Sequence, residues 1–323
     1  ANAPDDVIAE TEKVLDWGDG MTAMVPQQVK LFADGAIYSQ AMQVRDAYTD
    51  GHEGEWMMDL DLFAHAFREY WDADYQIHVH VNGDAGLDMV LDTLERNMRR
   101  QPRHDHRTVI VHFAVSAEDQ VTRIKKLGAI VSANAYYPVA LADKYSEIGL
   151  GAERAEPMVR IGDLERAGIS YSFHSDMPMA PAQPLFQMHC GVNRITSSGR
   201  VVAPEQRASR EKALRAITIE AAYSLQMENE VGSIQPGKLA NLTILSGNPV
   251  TCDAKEIKNL KVWGTVHEGR LLPVTPAEKR KSAFRLPDNF RPIASRASLR
   301  TPGAHVHVEG ACACSTGRLI AEI

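Results

Sequence analysis

Six side chains in this sequence are of types that bind divalent metal or move protons, and their spacing is regular. Lys30 sits in an apolar run. His78 and His80 are two residues apart. His112 stands at the end of the strand-like run Thr108–Phe113, and His174 and Asp176 are again two residues apart. Two imidazoles and a carboxylate suit a borderline divalent ion such as zinc. A metal with an open position makes hydroxide available near neutral pH and polarises a carbonyl, and a nearby carboxylate can carry the proton to a leaving amine. The chemistry such a set supports is metal-assisted hydrolysis. Taken singly, His80 or His112 would be a hydrogen-bonded buried histidine, Asp176 a cap or turn residue, and Lys30 a solvated lysine. Their recurrence at successive strand ends points to function.

The elements that must position them alternate. Strands are expected near residues 30, 78, 110, 131 and 172. Helices are expected over Asp59–Trp71, Ala85–Arg100, Ser116–Leu127 (N-capped by Ser116 and closed by Gly128), Met158–Ala167 and Ser209–Ser224. Leu60, Phe63, Phe67 and Tyr70 recur at helix spacing, whereas Gln76–Val81 alternates with period two. Such alternation reads as βα units on a parallel sheet, where chemistry collects at the C-terminal ends of the strands. A long loop, beginning with Tyr136, Tyr137 and Pro138, is expected after Ala133. Asn134 and Tyr136 fall at the fourth strand end, and Tyr136, Tyr137, Met177 and Met179 could line a pocket. Past residue 230, Gly232, Pro236, Gly237 and Gly247 punctuate short strands at Leu242–Leu245 and Val262–Glu268, which read as a small β-rich unit.

Composition sets the frame. The chain has 323 residues, 44% hydrophobic and 24% charged, so it is too apolar for a disordered polymer. No apolar run approaches the roughly 20 residues of a transmembrane helix. A net charge of −7 argues against a nucleic-acid binder. The four cysteines form no disulfide framework, and the reading leans to a cytoplasmic protein. Ala1 is not an initiator Met and no secretory leader follows, so the sequence reads as preceded by removed or further polypeptide.

Several runs resemble one family. VKLFADGA (29–36), IHVHVNGDAG (77–86), VIVHFAVSAEDQVTRIKKLGAIVSA (109–133) and HSDMPMAPAQPL (174–185) resemble the amidohydrolase superfamily. The branch is amidohydrolase family 3, which includes N-substituted formamide deformylases. EKALRAITIEAAYSLQMENEVGSIQPGKLANLTILSGNP (211–249) and VWGTVHEGRLL (262–272) extend the likeness, which covers roughly residues 25–273. The resemblance implies an α/β (β/α)8 TIM barrel, with strands four to eight in this chain, plus part of a β-sandwich. The expected division is 1–230 for the partial barrel, 231–274 for the sandwich part and 275–323 for an extended tail. It implies hydrolysis of a carbon–nitrogen bond of a small amide through one or two divalent ions, zinc foremost. Lys30 would be the bridging lysine, carboxylated. His80 and His112 would be ligands, and Asp176 would be both ligand and proton carrier. His78, His174, Asn134 and Tyr136 would be second-shell or substrate residues. The sequence departs from the family pattern at Val111, His174 and Asn241, where Glu, Gly and Asp are usual. The family's first-strand His-x-His has no counterpart before Lys30, and the His305/His307 pair near the C-terminus is a poor substitute. The resemblance therefore implies an N-terminal half supplied by another chain or segment, and association to cover open barrel edges. A degenerate, non-catalytic subunit, or a deaminase or lactonase on the same scaffold, are the alternatives.

Overall fold

A computed structural model describes residues 7–12 and 27–274; the tail at 275–323 and the His305/His307 pair lie outside them. After a short helix, α1 (Val7–Glu12), five strands make one parallel sheet: β1 (Gln28–Phe32), β2 (Gln76–Val81), β3 (Val109–His112), β4 (Ile130–Ala133) and β5 (Tyr171–Phe173). They pair in chain order, β1-β2-β3-β4-β5, so β1 and β5 are the edges among the described residues.

The intervening helices bury one face each. α2 (Leu60–Asp72) follows β1 and turns Phe63, Ala66, Phe67, Tyr70 and Trp71 inward. Its N-cap is Asp59, whose carboxylate accepts from the backbone N–H groups of Asp61 and Leu62. α3 (Asp84–Arg100) buries Leu87, Val90, Leu91 and Leu94. α4 (Glu118–Leu127) ends at Gly128, whose φ of +75° a glycine adopts without strain. Its N-cap is Ala117 rather than the expected Ser116: Gln120 Oε1 accepts from the Ala117 N–H at 3.0 Å, and the Ser116 hydroxyl is buried elsewhere.

The expected loop after Ala133 is in fact helical over α5 (Tyr137–Glu147) and α6 (Ala152–Ala155). Pro138 lies in the first turn of α5, where its missing N–H has no bond to lose. α7 spans Ile161–Ala167. A further helix, α8 (Pro184–Asn193), follows β5. The expected single helix over 209–224 is broken into α9 (Arg210–Ala216) and α10 (Ile219–Ser224). Thr218 stands at the break, its hydroxyl donating to the Leu214 carbonyl and competing with the helical ladder.

Past α10, β6 (Leu242–Leu245), β7 (Val262–His267) and β8 (Arg270–Pro273) form a separate antiparallel sheet in the order β6-β7-β8. The strand β8 extends the expected pair. It returns across Glu268 and Gly269, both at positive φ, as a tight hairpin requires. Among the described residues no helix is long and apolar enough to cross a membrane.

The two faces of the parallel sheet differ. Ile77, Val79, Val81, Ile110, Val131, Tyr171 and Phe173 join the main core under the helices. The opposite face carries the registered rows Lys30–His78–Val109–Ile130 and Phe32–His80–Val111–Ser132–Ser172. A small apolar patch of Val109, Val111 and Ile130, with Tyr223 packed against it, lies on that face. The polar rows therefore lie where α2 to α4 do not pack.

Candidate active site

The C-terminal ends of β2, β3 and β5 bring three imidazoles into contact. His78 and His80 share the polar face, as their spacing requires. Strict alternation would send the His112 side chain to the opposite face, with Val81 and Ala133, its register neighbours. The extended run instead stops at His112, where φ is +79°, followed by +54° at Phe113. The His112 ring lies edge-on to His80 with centroids 4.4 Å apart. It is also edge-on to His174 at 4.9 Å, with His174 Nε2 3.1 Å from His112 Nδ1. Asp176, also at positive φ (+53°), places a carboxylate oxygen 3.9 Å from the same nitrogen. Non-glycine residues rarely adopt this conformation, and it concentrates at functional sites.

Neighbouring groups hold the rings. Ser132 Oγ is 3.0 Å from His174 Nδ1, so β4 orients the residue that follows β5. The Tyr137 hydroxyl is 3.1 Å from His112 Nδ1, and Asn82 Nδ2 is 3.1 Å from His80 Nε2. Asn82 is held in turn by Asp34, a fully buried carboxylate that accepts from the backbone N–H groups of Asn82, Gly83 and Gln43. Burial pushes the Asp34 carboxyl up to about 7 despite those three donors. Asp34 thus ties the loop after β1 to the loop after β2.

Burial also keeps the imidazoles neutral. It lowers His78 to about 4, assisted by the Lys30 charge, and His174 to about 3, assisted by Lys30 and His80. His112 is pushed far below its ordinary value by burial, with His174, His80 and Lys30 adding to the shift, and His80 is lowered by burial and Lys30. A neutral imidazole keeps a lone pair for a metal or a proton. Burial raises the Tyr38 hydroxyl to about 12. That hydroxyl lies edge-on to Tyr137 and has no hydrogen-bond partner among the described residues.

The remaining expected residues fall as follows. Lys30 is exposed on β1, its ammonium 5.3 Å from the centroid of the Phe32 ring. His78 Nε2 is buried without a partner among the described residues. Asn134 acts on the backbone: its side chain accepts from the Tyr136 N–H and donates to the Ser175 carbonyl, beside Asp176. The Tyr136 ring packs on Phe186. Sequence reasoning missed Ser132, Asn82 and Asp34, and read Tyr137 only as a pocket residue. The signals available were the Asp34-Gly35 and Asn82-Gly83 pairs directly after β1 and β2, where a short acceptor can bond a turn's backbone.

The donor chemistry suits a divalent cation: neutral imidazole nitrogens meet beside a carboxylate. The set is partial, because among the described residues no three His, Cys, Asp or Glu side chains are placed to close around one ion.

Comparison with known proteins agrees with this architecture. The model of the Amidohydrolase family matches residues 5–273. N-substituted formamide deformylase of Arthrobacter pascens is 31% identical over 272 residues, covering 82% of this chain and 47% of that protein. Protein LONG AFTER FAR-RED 3 of Arabidopsis thaliana is 30% identical over 224 residues, covering 68% of this chain and 38% of that protein. A solved metal-dependent hydrolase of Pyrococcus furiosus superposes with a TM-score of 0.60 at 27% identity, covering 73% of this chain and 47% of that one. The chain spans less than half the length of each of these relatives. With a family match over most of its length and two curated relatives at 30% identity or above, this chain belongs to the amidohydrolase family.

Proposed function

We propose that this chain is part of a metal-dependent hydrolase that cleaves the carbon–nitrogen bond of a small amide. In this reading β1 to β5 are strands four to eight of a (β/α)8 barrel, and β6 to β8 belong to a small β-sandwich. The observation that carries it is the meeting of His80, His112 and His174 at the ends of β2, β3 and β5, with the Asp176 carboxylate 3.9 Å from His112 Nδ1. The name of the Arthrobacter relative supports an N-substituted formamide as substrate.

His80, His112 and Asp176 would hold a divalent ion, zinc by preference, and Lys30, once carboxylated, would add a further carboxylate donor. When bound, a divalent ion lowers the pKa of water to about 7 and polarises a carbonyl. The chain's own residues do the rest. Asp176, whose side chain is 42% exposed, would take a proton from the attacking water at a carboxylate oxygen and deliver it to the departing nitrogen, as the water oxygen joins the carbonyl carbon and the carbon–nitrogen bond breaks. Tyr137 and His174 hold the His112 ring at Nδ1, and Ser132 holds His174. The remaining donors come from a further segment or a second chain, with which this chain associates.

The test is metal content followed by hydrolysis. After dialysis against zinc and then buffer, mass spectrometry should find about one zinc per chain, and His112→Ala should lose it. Formate release from an N-substituted formamide, assayed with the segment or chain that supplies the remaining donors, should fall at least about 100-fold in Asp176→Asn, the scale of a lost general acid–base group. Failure to retain zinc, or hydrolysis undiminished in Asp176→Asn, overturns the proposal.

A further inference from the structure

His52, on the loop between β1 and α2, holds two acceptors at once. Its Nδ1 is 2.5 Å from a carboxylate oxygen of Asp50, and its Nε2 is 2.8 Å from the Gln40 carbonyl. An ionised carboxylate and a carbonyl only accept, so both ring nitrogens carry a proton and the ring is an imidazolium. The Tyr48 ring is stacked on it, with centroids 4.0 Å apart and planes 15° apart, and an aromatic face attracts a cation. Three contacts thus favour one charge state. Among the described residues, Asp50 is the charged group that bonds the ring, and His52 in turn holds the Asp50 carboxyl below its usual range. Burial raises the Tyr48 hydroxyl, which donates to the Met42 carbonyl and stays neutral. Arg154, on α6, spends its guanidinium on the carbonyls of Leu150, Asp46 and Ala47.

The Nδ1 bond is local, whereas the Nε2 bond spans the loop. One end of the span is fastened through Thr49: its N–H donates to the Gly149 carbonyl and its Oγ1 accepts from the Gly149 N–H, both at 2.8 Å. The other end is Gln40, which closes the 3-10 turn Ile37–Ser39 at a φ of +54°. A non-glycine residue keeps that conformation where its surroundings enforce it. The turn carries Tyr38, whose ring meets Tyr137 edge-on at 5.7 Å. We propose that His52 is a proton-operated clasp: as imidazolium it bridges Asp50 to Gln40 and holds the turn that carries Tyr38, and as imidazole it releases Gln40. A neutral ring has one N–H. The charged carboxylate is the stronger acceptor and keeps it at Nδ1, so a lone pair on Nε2 faces the Gln40 oxygen. The Gln40 carbonyl, followed by the Asp50 carboxylate, raises the His52 pKa above its ordinary 6.5. The clasp is therefore whole below 6.5 and opens as the pH rises through the folded value, the opposite sense to the buried imidazoles. It needs neither metal nor Asp176, so it stands apart from the catalytic reading.

The experiment combines ring titration with hydrogen exchange on the full chain in chelator. NMR of the protein labelled with ¹³C-histidine, with the His52 signal identified by its loss in His52→Gln, should show that ring titrating above 6.5, and Asp50→Asn should lower its pKa. The Gln40 and Ala41 amides, which donate to the Ile37 and Ala36 carbonyls at 3.0 and 3.1 Å, report on the turn. Their protection factors, corrected for intrinsic exchange, should fall at least about threefold between about pH 6 and about pH 9, the scale of one lost hydrogen bond. His52→Gln should give the lower protection at both pH values. His52→Arg, which keeps two donors and a permanent charge, should give the higher protection at both. A His52 ring that titrates at or below 6.5 overturns the proposal. So does equal protection of the wild-type turn at the two pH values, or the same pH dependence in His52→Gln. Neither zinc retention nor hydrolysis enters these readouts, so their failure and the failure of the catalytic reading are told apart.

Discussion

Acidification should destabilise this protein by charging its imidazoles, and the size of the effect follows from the site. In the unfolded chain a histidine titrates near 6.5, whereas in the fold His78 is lowered to about 4, His174 to about 3, and His112 further still. Burial is the first cause in each, with the positive charge of Lys30 adding to all three. The unfolded chain therefore binds protons that the folded chain refuses. Their contribution is whole above 6.5 and is lost as the pH falls towards the folded values. Between about pH 7 and about pH 5.5, each imidazole that stays neutral in the fold costs about 1.2 kcal/mol, so the three cost about 4 kcal/mol. Asp34 opposes them. Its carboxyl is raised from 3.8 to about 7, so its contribution is present at low pH and lost as the pH rises through 7. Over the same acid step it returns about 1.6 kcal/mol. The net loss is about 2 kcal/mol, a large part of a stability of roughly 5–15 kcal/mol. His80, His106 and His189 are lowered as well and act in the same direction. Equilibrium urea unfolding in chelator, at the two pH values, reads the change directly. In His174→Gln one proton is removed from the balance, so the loss should shrink by about 1.2 kcal/mol. If stability instead rises on acidification by about 1.6 kcal/mol, the value for Asp34 acting alone, the imidazoles take protons freely in the fold and the reasoning is refuted.

Three further outcomes are expected. Tyr137→Phe removes the hydroxyl at His112 Nδ1 and should weaken zinc binding about tenfold while costing only about 1 kcal/mol of stability, read by zinc titration and thermal melting. Gly83→Ala would drive a Cβ into the Gln43 carbonyl and to 2.9 Å from Asp34 Oδ2, and should lower stability by about 3 kcal/mol or more in urea unfolding. Arg194, 2% exposed, donates to the carbonyls of Val202, Val159, Glu156 and Met158; Arg194→Met removes all four bonds, although the Val159 carbonyl keeps the Ile161 N–H, and should cost at least about 3 kcal/mol by the same measurement.

Much of the fold could be read from local pattern. Strands such as Gln76–Val81 and Leu242–Leu245 lie where alternation or a short apolar run puts them, and Asp59 caps α2 as its type suggests. The misreadings share a cause: a residue that looks like punctuation is used inside an element. Pro138 and Pro184 sit in the first turns of α5 and α8, positions that tolerate proline, so two helices look like loops in the sequence. In the same way, an unbroken helical pattern over 209–224 hides the break at Thr218, where a side-chain bond to the Leu214 carbonyl decides the matter.

The site divides along a different line. Residue type and strand position bring His80, His112, His174 and Asp176 together on paper, but period-two alternation alone would turn His112 to the wrong face. Its left-handed backbone depends on the groups around it. Phe113 N donates to the Val81 carbonyl and Asn134 N donates to the His112 carbonyl, while Tyr137, on a helix that the sequence concealed, bonds the ring. The charge state is a further step from the sequence. Neutral histidines require burial, and beside the cluster Asp34 fastens two loops by three backbone N–H groups, one of them carrying Asn82 against His80. The donors are thus set by the strands, and their readiness to bind a cation by the loops. Two kinds of change should therefore separate: substitutions at strand ends remove ligands one at a time, whereas loosening the Asp34 anchor lets water reach the whole cluster and returns its histidines together towards 6.5.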